Sequence, residues 1–290
     1  MTNLVCFGLG YSARVFGQRR IQDGWKVTGT TRSPERAAAL HKDGFESTIF
    51  SGETPSEGVR ESLRDATHLL LSIAPGSDGD PPLNHHRDDI AEAHNLSWIG
   101  YLSTVGVYGN HDGAWVDEDT PVRPTSERSV RRVAAEQAWL EFGAETDKCV
   151  QLFRIAGIYG PGRGPLENMR RGKSRRIIKP GQVFNRIHVE DIANILDASV
   201  AKPRAGAIYN MSDNEPAPPQ DVIAYAAELL GVEPPPEIAF EDADMTPMGR
   251  SFYGENKRVS NARIKTELGV DLFYPTYREG IAHEARVLTG

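Results

Sequence analysis

The chain has 290 residues, of which 39% are hydrophobic and 25% charged, with a formal net charge of −7. That length suits one large α/β unit with an elaborated second lobe. An acidic balance excludes the broad basic footprint of a non-specific nucleic-acid binder, so no nucleic-acid partner is expected.

Leu4 to Phe7 reads as a buried strand entering a glycine-rich turn. Residues 12–23 carry helical spacing in Ala13, Val15, Phe16 and Ile21, closed by Gly24. Trp25 to Thr31 is the next strand, and Ser33-Pro34-Glu35 opens a helix with a capping serine and a first-turn proline. Strands are expected at 45–50 and 68–73, the second nearly all apolar as in the middle of a parallel sheet. Trp98 to Leu102 and Cys149 to Ile155 continue the alternation, with a helix through Glu127–Phe142 between them. The pattern predicts an α/β fold, a Rossmann-type doubly wound parallel sheet.

After Tyr159 the composition changes. Residues 160–182 are rich in glycine, proline and arginine, 187–200 restore a strand end and a helix, and 207–211 form a last strand. Helices follow at 221–230, 261–268 and 277–287. The expected division is a Rossmann domain of 1–159 plus 183–212 and a smaller, discontinuous C-terminal α/β lobe of 160–182 plus 213–290. No apolar run approaches the ~20 residues of a membrane helix, and Met1 leads into an apolar run without a basic flank, so neither a membrane span nor a signal peptide is expected. Cys6 and Cys149 lie far apart, which gives neither a zinc nor a disulfide framework and makes a reducing cytoplasm the expected location.

Gly8-x-Gly10-x-x-Ala13 follows a strand and opens a helix, the context in which such a loop binds a dinucleotide. Gly8 permits the turn, Gly10 the close approach of a pyrophosphate, and the N–H groups at Tyr11, Ser12 and Ala13 face its oxygens. A carboxylate that would grip the ribose 2′-hydroxyl belongs about 20 residues on. Thr30-Thr31-Arg32-Ser33 stands there instead. Thr31, Arg32 and Ser33 suit a 2′-phosphate, so NADP is expected rather than NAD, with Arg14 assisting from the first helix. Ser72-Ile73-Ala74-Pro75 closes another strand at the carboxyl edge of the sheet, where ligands of open α/β sheets lie.

LVCFGLGYSA at 4–13, YLSTVGVYG at 101–109 and FNRIHVEDIA at 184–193, in this order, resemble the extended short-chain dehydrogenase/reductases, the NAD-dependent epimerase/dehydratase-like family. NKRVSNARIKTELG and PTYREGI extend the likeness to nearly the whole chain. The resemblance implies that Ser72 to Pro75 line the cofactor ribose, that Ile155 and Ala156 lie near the nicotinamide, and that Thr104, with Ser103 beside it, orients the reacting oxygen. Val105 and Gly106 replace the Asp-Glu pair of the family's dehydratases, which argues against that reaction. Gly157 stands where the family often has an asparagine that binds a sugar-nucleotide diphosphate.

The chain departs from the family at its Tyr-x-x-x-Lys motif. Anchored on Glu136, the tyrosine slot is Arg128 and the lysine slot Arg132, and no tyrosine lies between Tyr108 and Tyr159. An arginine stays protonated and is a poor proton shuttle. Three accounts stand: Tyr108 or Tyr159 supplies the proton, Arg128 binds an anion while solvent handles the proton, or the nucleotide is bound without turnover. MRRGKSRRIIKPG places Arg175 and Arg176 in a basic run that the resemblance brings to the substrate cleft, although a solvated face also explains it. His188 is expected to point into the cleft, with Asp191 in a helix's first turn. No metal site is expected.

The expected activity is that of an NADP(H)-binding oxidoreductase or epimerase on a small, anionic or nucleotide-linked substrate. The alternative is a non-catalytic NADPH-sensing protein. The family often dimerises through helices equivalent to 84–95 and 127–142, so a homodimer is open.

Overall fold

The computed structural model describes residues 1–289. Strand β1 (Asn3–Phe7) leads into helix α1 (Tyr11–Gln22), followed in alternation by β2 (Lys26–Thr31), α2 (Pro34–Lys42), β3 (Glu46–Ile49), α3 (Glu57–Arg64), β4 (His68–Leu71), α4 (Pro81–Ala91) and β5 (Trp98–Thr104). After a 3-10 turn at Val105–Tyr108 come β6 (Trp115–Val116), α5 (Glu127–Thr146), β7 (Val150–Ile155), β8 (Gly157–Tyr159), α6 (Pro165–Arg170) and β9 (Arg176–Ile178). Then follow β10 (Arg186–His188), α7 (Val189–Ala201), β11 (Ile208–Met211), α8 (Pro219–Leu230), β12 (Glu237–Ala239), α9 (Pro247–Tyr253), β13 (Arg258–Val259), a π-helical turn at Ile264–Leu268 and α10 (Tyr277–Thr289).

Seven strands form one sheet in the order β11-β7-β5-β4-β1-β2-β3. Val5 sits opposite Thr28 on β2 and Leu69 on β4, both in parallel register. The winding reverses between β1 and β4, the switch point at which open α/β sheets bind ligands. The α/β, Rossmann-type sheet is therefore as the sequence predicts.

The chain forms two compact units, one of Met1–Thr104, Glu127–Arg154 and Ala193–Tyr209, the other of Val105–Ser126, Ile155–Ile192 and the residues from Asn210 onward. This division differs from the one expected at 159, 183 and 212. Segment 105–126 belongs with the C-terminal unit because β6 pairs with β13, Trp115 opposite Arg258, and the His111 N–H donates to the Asn256 carbonyl at 2.9 Å. Likewise β8 pairs with β10, Ile158 opposite Ile187.

In the first unit, Val5, Phe7, Leu69, Leu71, Ile99 and Tyr101 pack with Trp139 and Phe142 of α5. Alternation along β5 sends Trp98 to the opposite face, with its ring 6.3 Å from Phe16 and 6.2 Å from Phe153. Gly100 makes room for that ring, since a Cβ there would lie 2.2 Å from it. The second unit has its own core of Tyr159, Leu166, Val222, Ala226, Tyr277 and Ile281 from α6, α8, α10 and β8.

Candidate functional site

The glycine loop has the backbone geometry that a phosphate cradle requires. Gly8 takes φ +83, where a side chain is strained, and a Cβ there would meet Ile73 Cγ1 at 3.0 Å. Its N–H donates to Thr30 Oγ1 at 2.8 Å, so Thr30 rather than Thr31 braces the turn. Gly10 is the exposed N-cap of α1 and has no side-chain cap, and the start of a helix is where backbone N–H groups suit anionic oxygens. The nearest atom to a Cβ at Gly10 would be Ser72 Oγ at 3.9 Å, so Gly8, Gly10, Ser72 and Ile73 meet at the switch point. Tyr11 is half-buried, while Ser12 and Ala13 are buried in the first turn. One turn later Gly17 packs against Val27 and Phe45, with a Cβ 2.9 Å from the Phe45 ring. Ala74 is exposed and Pro75 half-buried at the end of β4. These residues fit a dinucleotide pyrophosphate.

At the end of β2, Thr31 is buried, Arg32 is exposed, and Ser33 caps α2 by accepting from the Arg36 N–H at 3.4 Å. No hydrogen bond or ion pair engages Arg32 among the described residues. Arg14 differs from expectation: its guanidinium is held by the Asp43 carboxylate, so it does not join Arg32.

Thr104 ends β5, half-buried. Ser103 points inward, and its hydroxyl donates to Glu136, which Arg154 also grips with Nη2 2.8 Å from Oε2. That commitment removes the Ser103 hydroxyl from the reacting position. Arg128 is exposed on α5. Arg132 donates from Nη1 to Tyr101 Oη at 3.1 Å and to the Leu102 carbonyl at 3.0 Å, with its guanidinium 5.5 Å from the Tyr101 ring. It thus braces α5 on β5. Close by, burial pushes the Asp80 carboxyl up to about 6, against the pull of the Arg132 charge.

In the second unit both tyrosines that one of the three accounts offers as proton donors are engaged. Tyr108 is fully buried, and its hydroxyl donates to Asn210 Oδ1 at 2.8 Å. Tyr159 is 4% exposed, its hydroxyl 3.5 Å from the Thr276 carbonyl, and burial pushes it above the ordinary tyrosine range. His188 is 1% exposed rather than directed into a cleft. Its Nδ1 accepts from the Glu190 N–H at 3.2 Å and its Nε2 lies 3.2 Å from Glu284 Oε1, an arrangement that assigns the ring proton to Nε2. Its ring packs 4.1 Å from that of Tyr274. Asp191 lies in the first turn of α7 and also accepts the Phe273 and Tyr274 N–H groups at 2.6 and 3.1 Å. Ile155 and Ala156 are buried at the end of β7.

Much of the basic run is paired. Arg170 and Arg171 meet Glu167, Arg176 lies 2.7 Å from Glu237 across the β9–β12 pair, and Arg175 donates to the Asp244 carbonyl. Asn185 was not singled out by the sequence reading, yet its amide binds Lys257 O and Val259 N at 3.0 and 2.8 Å. Among the described residues there is no group of three His, Cys, Asp or Glu side chains able to hold a metal, and no helix long and apolar enough to cross a membrane.

A glycine loop at the switch point of a doubly wound parallel sheet defines a Rossmann-type fold. Residues 89–212 match the model of the NAD dependent epimerase/dehydratase family. The chain is 28% identical over 285 residues to the protein YeeZ of Escherichia coli, covering 95% of this chain and 97% of that one. A conserved protein of unknown function from Silicibacter pomeroyi has a solved structure similar over 100% of both chains, at 52% identity and a TM-score of 0.91. The UDP-glucuronic acid 4-epimerase of Bacillus cereus, solved with NAD, shares the fold at a TM-score of 0.75 and 16% identity, over 100% of this chain and 99% of that one.

Proposed function

We propose that the protein is an NADP(H)-dependent oxidoreductase or epimerase-like enzyme of the cytoplasm, acting on a small anionic or nucleotide-linked substrate. The observation that carries the cofactor choice is the end of β2, where no carboxylate stands and the exposed Arg32 lies between Thr31 and Ser33. The Bacillus cereus epimerase was solved with NAD. In this chain a bare guanidinium at the ribose end favours a 2′-phosphate, because a planar fork of donors matches phosphate oxygens.

Gly8, Gly10 and the N–H groups at the start of α1 would hold the pyrophosphate, Arg32 and Ser33 the 2′-phosphate, and Ser72 to Pro75 the ribose. The nicotinamide would supply or accept a hydride. Thr104 would orient the reacting oxygen through its hydroxyl. Arg128, exposed and permanently charged, would bind an anionic group of the substrate. The test is a screen of carbonyl compounds and nucleotide sugars for NADPH oxidation, repeated with Thr104→Val. Turnover lost in that variant supports the reading; turnover that survives unchanged sinks it.

A second reading, a nucleotide-responsive regulatory protein, is favoured by Arg132, which braces Tyr101 and Leu102 where the family keeps a lysine. It predicts tight NADPH binding, no oxidation across the whole screen, and a partner interaction that changes in Arg32→Ala.

A further inference from the structure

Two consecutive histidines of α4 grip one loop of the first unit with opposite proton demands. The loop runs from the end of β3 to the start of α3, residues 50–56. The Gly52 carbonyl can only accept, so His85 Nε2, 3.1 Å away, carries a proton. The Ser56 N–H can only donate, so His86 Nε2, 3.2 Å away, carries none. The ring proton of His86 then sits on Nδ1, 2.8 Å from Asp89 Oδ2. Neighbouring side chains on a straight helix point about 100° apart. Helix α4 is kinked at His86, with φ −136 and ψ 20, and both rings reach the same loop.

His86 is 1% exposed. Its ring packs 5.8 Å from that of Phe7 and 5.2 Å from that of Phe50. Phe7 precedes Gly8 of the glycine loop. Phe50 donates its N–H to the Thr31 carbonyl at 2.9 Å, and Thr31 precedes Arg32. The ring therefore lies against the end of β1 and against the residue bonded to the end of β2. Those are the strand ends assigned above to the pyrophosphate and the 2′-phosphate.

We propose that His86 is a pH-sensitive latch on the nucleotide site: a second ring proton, taken from solvent at Nε2, expels the Ser56 N–H, releases the 50–56 loop and weakens NADPH binding. The proposal rests on the NADP(H) reading above.

The charges around the ring decide which contact gives way. Asp89 faces Nδ1 from α4. Arg60 of α3 meets the other Asp89 oxygen, with Nε 2.9 Å from Oδ1, and also lies 2.6 Å from Glu57. Phe7 and Phe50, which pack on the ring from β1 and the loop, carry no charge. Burial pushes the Asp89 carboxyl up, but hydrogen bonds from His86 and Arg60 outweigh it and hold the group below its ordinary value. Asp89 is therefore an anion, and an imidazolium at His86 keeps it as counter-ion. Ser56 is the partner that must leave, because two N–H groups would face each other. It is half-buried at the N-cap of α3, and Ser51, Glu53, Thr54 and Pro55 are exposed, so the freed N–H turns to water. His85 donates from Nε2 in either charge state, so its bond to Gly52 survives. Gly52, at φ +90, is the hinge.

Histidine ordinarily changes charge between about pH 5 and 8, and the experiment spans that range. NMR of nucleotide-free wild-type protein follows the Ser56 amide and the His86 ring, the latter assigned through its contacts with Phe7 and Phe50. The two signals are expected to move together with one midpoint, while the Val5 amide in the middle of the sheet stays in place. Adding NADPH should shift that midpoint to lower pH, the reciprocal of weaker binding to the protonated protein. Calorimetric titration then compares NADPH affinity at about pH 5 and pH 8 in the wild type and in His86→Gln, and the phosphate of the nucleotide titrates equally in both. Between those pH values the wild-type affinity is expected to fall at least about 5-fold more than that of the variant. A Ser56 amide that does not follow the His86 ring, or affinities that fall equally in the two proteins, overturns the latch and leaves the cofactor reading intact. Failure of NADPH to bind at any pH overturns that reading, and the proposal with it.

Discussion

Arg154 holds Glu136 in a buried pair inside the first unit, with Nη2 2.8 Å and Nε 3.2 Å from Oε2 and the two side chains 6% and 5% exposed. Ser103 donates to the other carboxylate oxygen. Glu136 is the residue that sets the register of α5 against the family pattern, and its partners lie on β5 and β7. The slots at 128 and 132 are therefore held by a clamp eight and four residues away, even though their side chains have changed. Arg154→Met leaves this carboxylate buried without its counter-charge and is expected to cost about 3–5 kcal/mol. Ser103→Ala removes one hydrogen bond to a charged group and costs about 1.5–3 kcal/mol. Urea unfolding measures both, and a wild-type midpoint in Arg154→Met would show that the clamp does not stabilise the fold.

Arg32→Ala is expected to weaken NADPH binding by roughly 10- to 100-fold, the loss of one or two hydrogen bonds between charged groups. NADH has no 2′-phosphate, so its binding stays the same. Arg14→Ala should leave both nucleotides unaffected, since Asp43 already holds that guanidinium. Calorimetric titration of the three proteins with each nucleotide decides the matter, and equal losses for NADPH and NADH would remove Arg32 from the phosphate site.

Gly8→Ala acts on both nucleotides alike. The substitution forces a side chain into φ +83, at a cost of about 1–2 kcal/mol, and sets its Cβ against Ile73 at 3.0 Å. The turn should shift and the pyrophosphate contacts weaken, with NADPH and NADH affinities falling in parallel. Selective loss of one nucleotide would contradict a pyrophosphate role for the loop.

Tyr108→Phe separates a structural tyrosine from a catalytic one. Deleting the hydroxyl leaves the buried Asn210 Oδ1 without that donor and should cost about 1–3 kcal/mol of stability. The shape of the pH–rate profile should be that of the wild type. A lost limb in that profile would return Tyr108 to the proton path.

The five strands up to residue 104 and helices α1 and α2 were legible because each carries its own signal, whereas α3 and α4 were not read from theirs. The nearly all-apolar His68–Leu71 lies between two strands, and Ser33 caps α2 with the expected contact. Side-chain direction was not legible at Tyr108 or His188. Pattern and spacing locate a Cα, whereas the rotamer depends on partners such as Asn210 and Glu284, which lie 102 and 96 residues away. The basic run was legible as charge, but the carboxylate of Glu237 that pairs with Arg176 arrives only when β12 joins β9.

Asp213 should give the fold a measurable pH dependence. It is 2% exposed, its Oδ1 accepts the Glu215 N–H at 3.1 Å, and its Oδ2 is buried without a hydrogen bond. Burial pushes its pKa from 3.8 up to about 7, although Arg186 pulls the other way. The folded state therefore binds this proton more tightly than the unfolded state does. The stability it contributes is complete below pH 3.8 and is lost as pH rises through about 7, because the unfolded chain releases the proton first. Asp80, raised to about 6 by burial, adds a decline of the same sign at slightly lower pH. Asp213→Asn keeps an acceptor for the Glu215 N–H and has nothing to ionise. Its stability should fall less than that of the wild type between pH 4 and pH 8, leaving it the more stable protein at the alkaline end. Urea unfolding at a series of pH values provides the comparison, and curves for the two proteins that run parallel across this range would mean that Asp213 does not titrate within it.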